Sequence, residues 1–212
     1  MNGFKNANGK SVLLKMVKCI QENKDYLGEV DGLIGDGDHG MNMNKGFTVF
    51  EKRFKDEDIS FTEGLSELGM ILLNEIGGSM GPIYGTIFME MAEAGDGLED
   101  IGSGGLADML QAGLSGLYDI VDAKVGDKTL VDTLAPAADA LRQAKDSGKD
   151  FTAALEEMKK AARAGRDSTK DMVAKFGRSS RLGERSRGVL DAGATSCCAI
   201  LEALADGICE LQ

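Results

Sequence analysis

The chain has 212 residues, 42% of them hydrophobic and 28% charged, and carries a formal net charge of −11. That length suits one domain with a full core, and the apolar content excludes wholesale disorder. The acidic surplus argues against nucleic acid, which is gripped through clustered Lys and Arg, and no apolar run reads as long enough to span a bilayer, which takes about 20 residues.

Met1 to Lys10 lacks the charged, apolar and small-residue succession of a signal peptide, so the expected location is cytoplasmic. The cysteines Cys19, Cys197, Cys198 and Cys209 form no C-x-x-C pair and are expected to be reduced.

From Ser11, the residues Val12, Leu13, Met16, Val17 and Ile20 recur at helical spacing and predict a helix to about Gly28. A glycine-rich acidic segment follows, then a second helix from about Asn42 to Phe54. Leu65, Leu68, Leu72 and Ile76 mark a third, stopped by Gly77 and Gly78. Pro82 suits a first helical turn, where its missing N–H is no loss, so a fourth helix runs to about Ala94. Gly95 to Gly105 reads as a loop.

Leu106, Met109, Leu110, Leu114 and Leu117 mark a fifth helix, and Leu130, Leu134, Ala138 and Leu141 a sixth, bent at Pro136. Phe151, Ala154, Leu155, Met158 and Ala162 mark a seventh. The stretch from Gly177 to Gly193 is too polar and glycine-rich to pack as a helix, and the last helix carries Ile200, Leu201, Leu204, Ile208 and Leu211. No segment alternates as a strand. The expected fold is all-α: a single domain over residues 1–212, built of about eight antiparallel amphipathic helices whose glycine-rich breaks meet at one end.

Asp31, Asp36, Asp38 and His39 lie with four glycines inside one window of twelve residues. Carboxylates this close repel unless a hard divalent cation sits among them, and Mg²⁺ is commonly held by carboxylates with phosphate oxygens. A calcium hand fails, because its twelfth position falls on Phe47 where a bidentate Glu is needed. The run from Gly35 to Gly40 also spells G-x-G-x-x-G. The dinucleotide reading is rejected, since that fingerprint needs a strand before it and no carboxylates facing the pyrophosphate. His39, the only imidazole, reads as a nucleotide or phosphate contact rather than a general base, because phosphoryl transfer depends mostly on positioning and charge.

Gly77 to Pro82 opens a helix whose free N–H groups can receive an anion. Lys128 and Thr129 are further candidates for the site's lining. Arg178, Arg181, Arg185 and Arg187 supply the positive charge an anion needs, with Asp191 and Gly193 at the start of the last helix. No residue presents itself as a nucleophile.

Taken in order, Ile34-Gly-Asp-Gly-Asp-His-Gly-Met-Asn, Gly77-Gly-Ser-Met-Gly-Pro-Ile-Tyr-Gly-Thr, Gly126-Asp-Lys-Thr-Leu, Gly177-Arg-Ser-Ser-Arg-Leu-Gly-Glu-Arg-Ser and Asp191-Ala-Gly-Ala-Thr-Ser resemble the nucleotide-binding L subunits of bacterial dihydroxyacetone kinases. The resemblance covers nearly the whole chain. It implies a barrel of antiparallel helices with ADP or ATP and a pair of Mg²⁺ ions at one end. It implies Asp31, Asp36 and Asp38 as metal ligands, and His39, Gly40, Met41, Asn42, Ser79, Met80, Leu130, Arg178, Asp191, Ala192 and Gly193 as nucleotide contacts.

The resemblance also implies a division of labour. A separate K subunit holds the ketose, a phosphohistidine M subunit of the phosphotransferase system recharges the bound ADP, and some relatives bind a transcription regulator. A homodimer is expected, with no direct nucleic acid and no membrane. Met80, Arg181 and Ala192 depart from the family's usual residues, which leaves open a related ketose with ATP as donor. A non-catalytic nucleotide-binding regulator is the other alternative.

Overall fold

The computed structural model describes residues 3–212. Among them the chain forms nine α-helices and one two-stranded sheet. The stripe from Val12 to Ile20 is buried as its spacing predicts, yet the single helix expected from Ser11 to Gly28 is two, α1 (Lys10–Glu22) and α2 (Lys24–Gly32). The break is at Asn23, whose side-chain amide donates to the Cys19 carbonyl at 2.8 Å. A short polar side chain bonding the backbone in this way competes with helix continuation.

The remaining helices are α3 (His39–Phe54), α4 (Phe61–Glu75), α5 (Met80–Ala94), α6 (Ser103–Ile120), α7 (Val131–Asp146), α8 (Phe151–Ser168) and α9 (Ala192–Leu211). Each contains the apolar stripe that marks it in the sequence. α7 continues through Pro136.

No strand is expected from the sequence, yet β1 (Gly3–Lys5) pairs antiparallel with β2 (Asp100–Gly102), Phe4 opposite Ile101. Three residues are too few to display alternation; what holds them is burial of Phe4 and Ile101, with the Phe4 ring edge-on to Phe61 at 5.3 Å. The segment expected to lack helix contains 3₁₀ turns over Arg178–Ser186, broken at Gly183. α9 is long and apolar enough by composition to cross a membrane, contrary to the reading of the sequence. In the fold, 72% of its most apolar window is buried, so it serves as a core helix.

Consecutive helices from α3 to α9 pack on one another, and α1 closes the circle by packing on both α3 and α9. The ring therefore has eight members, with α2 seated outside against α3 and α9. Neighbours run antiparallel: Lys15 near the start of α1 pairs with Glu210 at the end of α9, and Lys10 donates to the Glu57 carbonyl just past α3. The interior is filled by apolar side chains, among them Met16, Leu65, Phe88, Leu110, Leu134, Ile200 and Leu204.

One consequence of alternation governs the rest. α3, α5, α7 and α9 share a direction, so their N-termini gather at one end of the ring. The opposite end carries the sheet and two helix starts secured by side chains: Ser60 and Glu63 form a capping box on α4, and Asp150 caps α8.

Close helix contacts depend on glycine. Pro136 has no N–H to give the Asp132 carbonyl, and that oxygen lies against Gly165 of α8, where a Cβ would come to 2.0 Å. Gly165→Ala is expected to prise α8 from α7 and cost about 1 to 3 kcal/mol, lowering the midpoint of thermal unfolding by about 2 to 10 °C. Gly104→Ala, in the first turn of α6 with its nearest neighbour at 3.7 Å, is expected to leave the midpoint level or slightly raised. Circular-dichroism melts of the two variants check this.

Candidate functional site

The acidic segment lies at the gathered N-termini, between α2 and α3. One carboxylate oxygen from each of Asp31, Asp36 and Asp38 lies within 4.8 Å of the others. Local backbone makes this possible. Gly35 leaves room for the Asp31 carboxylate to fold back, since a Cβ there would meet Asp31 Oδ1 at 2.3 Å. Gly37 turns the chain at φ +77, a conformation glycine adopts without strain. Asp38 occupies the N-cap of α3 but makes no capping bond, so its carboxylate is unspent. Asp31 Oδ2 accepts the His39 backbone N–H at 3.3 Å.

A set of three hard oxygen donors fits Mg²⁺ better than any softer metal. The donors are also open to a ligand: Asp36 is exposed, and Asp31 and Asp38 are partly so. The Arg178 guanidinium is ion-paired with Asp36, so one cationic group already sits on the cluster.

The helix starts around this cluster are of two kinds. α3, α5 and α7 have no side-chain cap, which leaves their first N–H groups available, and Ser79 before α5 is exposed. α9 is capped by Asp191, whose Oδ2 accepts the Ala194 N–H at 2.7 Å. Burial pushes the Asp191 carboxyl up to about 6, against the pull of the Ala194 N–H and Lys128, with Asp132 and Asp31 pushing the same way as burial.

His39 is placed differently from the expectation of a phosphate contact. The residue is 6% exposed, and its Nε2 lies 2.8 Å from Ser196 Oγ, which in turn meets the Tyr84 hydroxyl at 2.6 Å. Tyr84 donates to the Gly193 carbonyl at 3.2 Å. Burial lowers the imidazole to about 4, opposed only by Asp31, so the ring is neutral at physiological pH. Its Nε2 is spent on a buried network that ties α3, α5 and α9 together beneath the site, and only Nδ1 is left to face a ligand.

Lys128 likewise lies underneath rather than in the lining. It is 1% exposed, holds the left-handed φ of +62, and its Nζ donates to the carbonyls of Thr169, at 2.5 Å, and Val189. Asp132 accepts from the N–H groups of Gly126 at 2.5 Å and Thr129 at 2.8 Å, and Asp127 pairs with Lys175 at 2.5 Å. These bonds fix the turn that presents Leu130, which is buried and faces Gly193: a Cβ on Gly193 would lie 3.5 Å from Leu130 Cβ.

Of the other sequence candidates, Gly40 is where α3 crosses α2, with a Cβ coming to 1.9 Å of the Lys24 carbonyl. Met41 is 65% exposed at the mouth, Asn42 is partly exposed one turn into α3, Met80 packs on the core, and Ala192 is buried. Of the four arginines, Arg178 reaches the acidic cluster. Arg187 turns inward to Glu184 and the Asp171 carbonyl, and Arg181 stays exposed on the loop.

The polar groups that the sequence does not announce are Tyr84, Ser196, Asp132 and Thr169. Thr169 Oγ1 accepts the Asp191 N–H at 3.0 Å. Their partners lie up to 157 positions away in the chain, so no local spacing signals them.

A sequence profile of the DAK2 domain matches residues 33–206. A Listeria innocua protein described as the ADP-binding subunit DhaL of a PEP-dependent dihydroxyacetone kinase is 38% identical over 87% of this chain and 88% of its own. The protein of the same description from Escherichia coli K12 is 40% identical over 85% and 87%. Among solved structures, the dihydroxyacetone kinase of C. freundii in complex with AMP-PNP and Mg²⁺ superposes with a TM-score of 0.73 at 21% identity, covering 97% of this chain. The chain spans only about a third, 35%, of that longer kinase, whose likeness establishes the helical fold. With the profile matched across most of its length and close kin of its own size, the chain belongs to the DAK2-domain family.

Proposed function

We propose that this chain is the nucleotide-binding phosphotransferase subunit of a dihydroxyacetone kinase, presenting a phosphoryl group to a ketose held on a separate K subunit. The observation that carries the reading is the cluster of Asp31, Asp36 and Asp38 set among uncapped helix N-termini. The identity of 38% to 40% with ADP-binding subunits of PEP-dependent kinases supports ADP as the resident nucleotide, recharged by a phosphohistidine M subunit.

The aspartates would hold Mg²⁺, a pair of ions in the fullest form of this reading, which when bound neutralises negative charge on the phosphates. The chain's own residues do the rest. The starts of α3 and α5 offer N–H groups and positive dipole ends to the phosphate oxygens. Ser79, Met80, Leu130 and the turn from Asp191 to Gly193 line the nucleotide's place, and Arg178 supplies a forked donor for phosphate. No nucleophilic side chain stands at the mouth. Cys197 and Cys198 are buried in α9, with burial pushing the Cys198 thiol up to about 12. Catalysis here is positioning and charge.

The test is to denature the purified protein, identify the released nucleotide by mass spectrometry, and assay phosphoryl transfer to dihydroxyacetone with K and M partners and phosphoenolpyruvate, or with ATP in their place. Released ADP together with transfer that needs the phosphoenolpyruvate system is expected; protein without nucleotide that is inert in both assays would refute the reading. Asp36→Asn is expected to lose ADP while its helical spectrum and melt stay near the parent's, because Asp36 is exposed and supports no packing. Ser196→Ala behaves in the opposite order: it strands the buried His39 ring and Tyr84 hydroxyl, lowering stability by about 1 to 3 kcal/mol, with nucleotide retention weakened but not lost. Melts and nucleotide content of the two variants, measured side by side, separate ligand from support.

A further inference from the structure

The loop after α8 is held firmly at its base. Ser186 Oγ accepts the Ala174 N–H at 2.9 Å, the Gly188 N–H donates to the Lys170 carbonyl at 2.7 Å, and Lys128 holds Val189. Its apex, residues 176–185, is largely exposed, and begins at Gly177, φ +69, with open space where a Cβ would be. Among the described residues, one polar contact ties that apex to any other part of the molecule. It is the ion pair between Arg178 and Asp36.

Asp36 is also one of the three carboxylates of the acidic cluster, so the guanidinium and a divalent cation want the same oxygen. They also repel each other at that range. We propose that Arg178 is a displaceable counter-ion: it neutralises Asp36 while no cation is present, is expelled when the cation arrives, and is thereby released to bind the phosphates that the same cation brings. This rests on the reading that the three aspartates take a divalent cation.

The chemistry of the residue suits both halves of the exchange. A guanidinium presents a planar fork that matches carboxylate and phosphate alike, and it stays charged throughout. Asp36 and Arg178 are both exposed, 38% and 62% by side chain, so the exchange opens no buried gap. Swapping one acidic partner for another costs the loop nothing in packing. The result is coupling: without phosphate the cation must expel Arg178 and leave it unpaired, whereas with phosphate the expelled group has a partner. Cation and nucleotide therefore each bind better in the other's company, and by the same factor.

The test is a Mn²⁺ titration, followed by electron paramagnetic resonance of the free ion, on nucleotide-stripped protein with and without ADP. Removing a competitor and removing a ligand contact have opposite signs here. Arg178→Gln is expected to bind Mn²⁺ about fivefold or more tightly than the parent in the absence of ADP, and to lose most of the gain that ADP confers. Unchanged or weaker Mn²⁺ binding by the ADP-free variant overturns the inference. Hydrogen exchange gives a second reading: amides of residues 176–185 are expected to exchange faster with Mn²⁺ alone and slower once ADP is added. Slower exchange with Mn²⁺ alone likewise overturns it. If the parent binds no Mn²⁺ in either condition, the cation reading of the aspartates falls, a result distinct from failure of the exchange.

Discussion

Mutual repulsion among Asp31, Asp36 and Asp38 is the constraint to which the rest of this structure answers. Two like charges about 4 Å apart repel by about 1 kcal/mol in water and by about 4 kcal/mol at the effective dielectric of a protein surface. Three carboxylates within 4.8 Å of one another persist only because the fold brings compensating charge to them. The compensation comes from outside the acidic segment, which holds no Lys or Arg between Asp31 and Asn42. It comes from the N-terminal end of α3, from Arg178 across the mouth, and in the working state from the cation.

The helical ring is the means of delivering it. Alternating direction places the starts of α3, α5, α7 and α9 at the same end, and three of these starts lack a side-chain cap. A globally acidic protein thus acquires one surface where N–H groups face outward, which is how a chain of net charge −11 can accept a polyphosphate. At the far end the starts of α4 and α8 are closed by Ser60 and Asp150, and a short sheet covers them. The polarity of the molecule is therefore set by which helix starts are satisfied internally and which are left for a ligand.

A buried polar layer supports this mouth. His39, Ser196, Tyr84 and the Gly193 carbonyl join three helices beneath the site, and Lys128 with Asp132, Asp127 and Lys175 joins two loops beside it. Buried polar groups are costly unless every partner is in place, so such layers define one arrangement of the backbone above them. The identification of the three aspartates with the cation, and of the layer below with rigidity, divides the conspicuous residues of one motif into two jobs. Asp38 and His39 are adjacent in the chain, yet the carboxylate faces the ligand and the imidazole turns into the core.

The sequence by itself determined the helices, because each carries an apolar stripe at the period that buries one face, and it determined the acidic loop, because its residues are contiguous and their repulsion is visible without coordinates. The tiny sheet escaped notice, since three residues per strand leave no period to read, and so did the break at Asn23, which interrupts no apolar stripe. Only the tertiary structure decided that Arg178 reaches Asp36 and Arg187 turns away, that His39 is held neutral against Ser196, and that Lys128 lies under the site. Each of those outcomes depends on groups brought together from distant parts of the chain, and the direction a polar side chain takes is decided by which partner the closed ring places within hydrogen-bond reach.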